Sequence, residues 1–123
     1  MPHTCKTLVL HCIDFRLQKN IRDFLDDQGL LGECDIVAIA GAVKEWGHAL
    51  KQIEVSKRLH NISNIILINH TDCGAYGGDD SRHEHDLKAA KNDIVKKYPD
   101  ISVKTILAKI AENAEISFQN IDS

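Results

Sequence analysis

Three short, almost continuously apolar runs, each followed by a stretch with helical periodicity, constrain this chain more than any other feature. The runs are Thr7 to Cys12, Asp35 to Ala40, and Asn64 to Asn69, the last (Asn-Ile-Ile-Leu-Ile-Asn) being the strongest. Strands that are apolar on both faces suit a sheet covered on both faces, the condition of parallel strands joined by helical crossovers. The intervening stretches supply the crossovers. Leu17 to Gln28 places Leu17, Ile21, Phe24 and Leu25 at helical spacing, and Gly29 stops that helix. Lys44 to Leu59 carries Trp46, Leu50, Ile53 and Leu59 in a looser version of the same pattern, and Asp86 to Tyr98 reads as a further helix ended by Pro99.

The C-terminal part reads differently. Ser102 to Ile110 and Glu115 to Ile121 alternate apolar with polar residues and flank a turn at Glu112-Asn113-Ala114. That pattern predicts a hairpin at one edge of the sheet, with one face solvated or awaiting a partner subunit. The expected fold class is therefore α/β: a parallel-centred open sheet with helices on its faces and a C-terminal antiparallel hairpin or edge strand. No repeat, linker or low-complexity segment interrupts residues 1–123, so a single domain is expected.

Composition narrows the function classes. Hydrophobic residues at 43% and charged residues at 27% describe a chain that can bury a core rather than a disordered one. Net charge is −3 and no basic stripe is present, which argues against a nucleic-acid partner. The longest near-apolar run, Ile62 to Ile68, is far too short to span a bilayer, and no membrane association is expected. The opening Met1-Pro2-His3-Thr4 lacks the pattern of a secretory signal, so a cytoplasmic location is expected. In that compartment four cysteines without a Cys-x-x-Cys point to metal ligation or buried thiols rather than disulfides.

Two short sequences fall where an open parallel sheet places its ligands, at the carboxyl ends of strands. Cys12-Ile13-Asp14-Phe15-Arg16 follows the first run, and His70-Thr71-Asp72-Cys73-Gly74 follows the third. Cys12, His70 and Cys73 make a three-ligand zinc set with the fourth position open, the arrangement of catalytic rather than structural zinc. Asp14, two residues from a ligand, can accept a hydrogen bond from zinc-bound hydroxide or swing in to replace the water. Arg16 would keep Asp14 ionised and oriented, because its planar fork matches a carboxylate. Cys5 and Cys34 have no histidine at ligand spacing and are expected to be plain buried thiols. His83-Glu84-His85, after Gly77-Gly78-Asp79-Asp80, is expected on a solvated loop, with proton relay open only if one imidazole overhangs the site. His3, His11, His48 and His60 receive no role.

Cys-x-Asp-x-Arg at Cys12, Asp14 and Arg16, followed by His-x-x-Cys-Gly at His70, Cys73 and Gly74, resembles the β-class carbonic anhydrases. Gly32-Glu33-Cys34-Asp35 leading into a strand that ends Ala40-Gly41 resembles that family's middle strand and glycine turn. The element order is also similar, from about Lys6 to Ile121. The resemblance implies one zinc ion per chain, reversible hydration of carbon dioxide to bicarbonate and a proton, and a homodimer or dimer-based oligomer. Three departures accompany it: the chain is short, only eleven residues precede Cys12, where many members carry a helical arm, and Ala38-Ile39 stands where the family commonly has Arg-Asn. Carbonyl sulfide or carbon disulfide hydrolysis, and zinc binding without hydratase activity, remain alternatives.

Overall fold

The computed structural model describes residues 3–122. Five strands form one sheet: β1 (Thr7–His11), β2 (Cys34–Ala38), β3 (Asn64–His70), β4 (Ser102–Ile110) and β5 (Ile116–Asn120). Their order is β2-β1-β3-β4-β5; the first three neighbouring pairs are parallel and β4–β5 is antiparallel. The helices are α1 (Gln18–Asp27), α2 (Trp46–His60) and α3 (His83–Lys97).

The chain leaves β1 for β2 on one side, then crosses back over β1 to reach β3 on the other. That reversal makes the carboxyl ends of β1 and β3 the switch point of the sheet, where open α/β folds leave a crevice. Each face has its own core. On one face Leu8, Leu10, Ile65 and Leu67 pack with Ala49 and Ile53 of α2 and with Leu87, Ala90 and Ile94 of α3. On the other, Val9, Ile66 and Ile68 pack with Ile21 and Leu25 of α1. Alternate residues of β1 and β3 thus go to opposite cores, which explains why both strands are apolar throughout.

The fold class is as the sequence predicts, down to the bounds of β4; β5 is one residue shorter at each end than expected, Cys5 and Cys34 are half-buried rather than buried, and two further local readings are corrected. The second run was expected to be a buried strand over Asp35 to Ala40, but β2 is an edge strand ending at Ala38, with Ile36 51% exposed. Apolar composition does not reveal lateral position, and β2 pairs only with β1. The second correction concerns His83-Glu84-His85, which opens α3 instead of lying on a solvated loop. His83 is 1% exposed and heads the buried stripe His83, Leu87, Ala90, Ile94. Counting that histidine as part of the stripe starts the helix three residues before Asp86.

Candidate metal centre

Cys12 follows β1 directly and is 5% exposed. The chain then enters a short 3-10 turn, Phe15–Leu17, for which Asp14 is the N-cap, its carboxylate accepting the Arg16 backbone N–H at 2.9 Å. Capping fixes the carboxylate where the Arg16 side chain closes on it, Nε donating to Oδ1 at 3.1 Å and Nη2 to Oδ2 at 2.8 Å. This charge-assisted fork brings the Asp14 carboxyl down to about 2, so it is ionised at neutral pH.

His70 is the last residue of β3. The following turn passes through Asp72 in the left-handed region (φ 54°) and delivers Cys73, 2% exposed, beneath the next 3-10 turn. Thr71 fixes this loop to β4, its N–H donating to the Ala108 carbonyl at 2.9 Å and its hydroxyl accepting the Ile110 N–H at 2.9 Å.

The ligand atoms of Cys12, His70 and Cys73 lie within 4.8 Å of one another, all three residues being buried. The two sulfurs are 4.0 Å apart. His70 Nδ1 lies 2.7 Å from the Thr71 carbonyl, which can only accept, so Nδ1 carries the proton and Nε2 presents a lone pair. Among the described residues, Nε2 is the one buried side-chain nitrogen or oxygen with no hydrogen-bond partner. Such an orphan costs roughly 1–3 kcal/mol, a cost that a cation between the imidazole and the thiols would remove. The donor set therefore fits a zinc ion on a feature of this chain.

Burial alone would raise the Cys12 thiol, but a protonated His70 beside it and the Gly41 N–H, which donates to Cys12 Sγ at 3.4 Å, outweigh it and bring it down to about 7; a cation in the pocket would take over the part of the imidazole's proton. Burial keeps Cys73 raised. Position 41 requires glycine: at φ 79°, a Cβ there would lie 3.0 Å from the Ala75 and Lys44 Cβ atoms.

All five residues singled out in the sequence meet in this crevice. Asp14 Oδ2 lies 3.8 Å from His70 Nε2 while remaining in the grip of Arg16. Motif reading missed three supports. Asp72 receives the far side of Arg16, Nη1 donating to its carboxylate at 3.1 Å and Nη2 to its carbonyl at 2.9 Å. Its signal was present, as an acid inside the His-x-x-Cys motif opposite an arginine. The others are Asn69 and His83. The Asn69 amide accepts from Val43 N–H at 3.4 Å and donates to Tyr76 Oη at 3.0 Å and to His83 Nδ1 at 3.1 Å. His83 Nε2 in turn donates to Asp80, whose same oxygen accepts the Asp72 N–H. The network joins the loop after Gly41, the end of β3 and the turn that holds Arg16.

Fold and site together define a doubly wound α/β protein with a buried thiol–imidazole–thiol cluster at its switch point, flanked by an aspartate–arginine pair. The chain belongs to the family described as "Putative carbonic anhydrase", which it matches over residues 2–118. A Rickettsia bellii (strain RML369-C) protein, named only as an uncharacterized protein, is 32% identical over 82% of this chain and 74% of its own length. Among solved structures, carbonic anhydrase from Streptococcus mutans aligns with a TM-score of 0.68 at 17% identity, over 99% of this chain and 86% of that one. A β-carbonic anhydrase from Trichomonas vaginalis aligns with a TM-score of 0.61 at 12% identity, over 96% and 85%. The apo form of a carbon disulfide hydrolase aligns with a TM-score of 0.63 at 14% identity, over 95% and 79%. At those identities the likeness is one of fold.

Proposed function

We propose that Cys12, His70 and Cys73 hold one zinc ion and that the protein catalyses reversible hydration of carbon dioxide to bicarbonate and a proton. The observation that carries this reading is the buried, unpartnered His70 Nε2 facing two thiols beside an ionised Asp14. A zinc ion at this position supplies the acidity that lets a water lose its proton near neutral pH.

The chain's own groups would do the rest. Thr71 holds the imidazole tautomer that leaves Nε2 free. The Gly41 N–H steadies the Cys12 sulfur. Arg16, itself held by Asp72, keeps Asp14 charged and aimed, so that its carboxylate accepts a hydrogen bond from the attacking oxygen and orients it towards carbon dioxide. A homodimer and a cytoplasmic location belong to the same reading. Ile13, Phe15 and Ile36 are exposed apolar side chains that a second subunit would bury, and all four cysteines are free thiols.

Stopped-flow hydration of carbon dioxide by the zinc-loaded protein tests the activity. No rate above buffer between about pH 7 and pH 9 would falsify it. A second reading, hydrolysis of carbon disulfide or carbonyl sulfide, is favoured by the apolar Ala38-Ile39 and by the fold shared with a carbon disulfide hydrolase. Sulfide release compared with bicarbonate production separates the two. If zinc only holds the fold, Asp14→Ala changes neither.

A further inference from the structure

The amino end of the same sheet brings together a second set of metal-ligand side chains. Cys5 lies just before β1, Asp35 is the second residue of β2, and His60 is the last residue of α2. Their ligand atoms lie within 4.8 Å of one another, and all three residues are half-buried. They border an opening of about 180 Å³ together with His3 and Cys34. The His3 ring stands 5.2 Å from that of His60, centroid to centroid.

Part of this cluster is a structural clamp. The Asp35 carboxylate accepts from His60 Nδ1 at 2.7 and 2.9 Å and from Ser56 Oγ at 2.6 Å, tying the end of α2 to the start of β2. A clamp does not need a thiol, yet Cys5 Sγ makes a long contact to the Thr7 carbonyl at 3.7 Å and also faces the Asp35 carboxylate, within ligand reach of both partners. Nor does it need a second imidazole and a second thiol on the same opening. Two of the seven histidines and two of the four cysteines in the chain border this one small space.

We propose that the amino end of the sheet binds a second divalent cation of the zinc class through Cys5 Sγ, the Asp35 carboxylate and a His60 ring nitrogen. A mixed sulfur, nitrogen and oxygen set selects a borderline-soft ion over magnesium or calcium. On binding, the Cys5 thiol gives its proton to solvent, His60 carries its ring proton on Nε2 instead of Nδ1, and the cation takes the place of the hydrogen bond between His60 and Asp35. Three side chains would hold the ion, with solvent at the remaining position of a tetrahedral set. It would fasten together the segment before β1, the start of β2 and the end of α2. The inference does not depend on the activity proposed above.

The test is a metal count on the full-length protein, stripped, reloaded with Zn2+ and dialysed. Two ions per chain are expected in the wild type, and one each in Cys5→Ser, in His60→Gln and in the double variant Cys12→Ser/Cys73→Ser. Loaded with Co2+, the double variant should show thiolate-to-cobalt absorption that disappears when Cys5→Ser is added. A single ion that the double variant loses and Cys5→Ser keeps overturns the inference. A single ion that survives in the double variant but is lost in Cys5→Ser supports it and instead sinks the carboxyl-end zinc. If the double variant does not fold, the difference of one ion between wild type and Cys5→Ser still decides.

Discussion

The two ends of the sheet carry similar donors in opposite states of satisfaction. At the carboxyl end, His70 is 1% exposed and its Nε2 has no partner. At the amino end, His60 is half-buried and its Nδ1 already meets both oxygens of Asp35. Removing a buried polar atom from water without replacing its hydrogen bond is costly, so the carboxyl-end arrangement makes physical sense as one completed by a cation. The amino-end cluster already joins its elements by hydrogen bonds, so an ion there would exchange one link between His60 and Asp35 for another rather than complete an unpartnered group. Ligand chemistry nominates both clusters; the state of their hydrogen bonds separates the role of one from that of the other.

The largest effect that can test this contrast is loss of the carboxyl-end ion. Cys73→Ser should reduce carbon dioxide hydration to the buffer rate in the stopped-flow assay, while Cys5→Ser should leave most of it. Equal losses from the two would erase the distinction.

Next in size is the Asp14–Arg16 pair. Arg16→Ala should lower kcat/KM roughly 10- to 100-fold with zinc content unchanged, the usual range for groups that orient a metal site. Unchanged kinetics would mean that Arg16 does not orient Asp14 for the reaction.

Smaller again is the polar network behind the site. Asn69→Leu should destabilise the fold by about 1–3 kcal/mol in urea denaturation, because it strips partners from Val43, Tyr76 and His83. A neutral result would mean that the network does not hold the loop after Gly41.

The smallest effect lies near the amino end. Asp122 accepts from the Thr105 N–H and hydroxyl and from Lys91; burial pushes its carboxyl up, but these donors hold it below its ordinary value. A depressed carboxyl stabilises the fold above its unfolded pKa, and that contribution is lost as pH falls through the folded value. Asp122→Asn should therefore cost at most about 1 kcal/mol at neutral pH and progressively less below about pH 4. Unfolding midpoints measured from pH 6 down to pH 2 give the comparison. A cost that does not shrink with acid would rule out the carboxylate as its source.

How much of this was legible depended on distance along the chain. β4 and the carboxyl ends of β1 and β3 could be read because strand periodicity and motif spacing are local properties. Asp14 and Arg16 sit two residues apart, and a capping turn suffices to join them. His83 was misread because a histidine at the head of an apolar stripe resembles one on a polar loop until Tyr76 and Asn69 are seen against it. Cys5, Asp35 and His60 share no motif at all.

By itself, then, the sequence determined the alternation of buried strands and amphipathic helices, and with it a parallel-centred α/β sheet. It also placed two ligand-bearing motifs immediately after two of those strands. Only the tertiary structure decided that β2 lies at the edge, that Asp72 completes the hold on Arg16, and that His70 Nε2 is left without a partner. Only the register of β1 on β2, Thr7 opposite Cys34, brings Cys5 and Asp35 to the same end of the sheet as His60. Periodicity fixes which face a residue takes. Which distant residue it meets there is set by strand order, register and the packing of helices across the sheet.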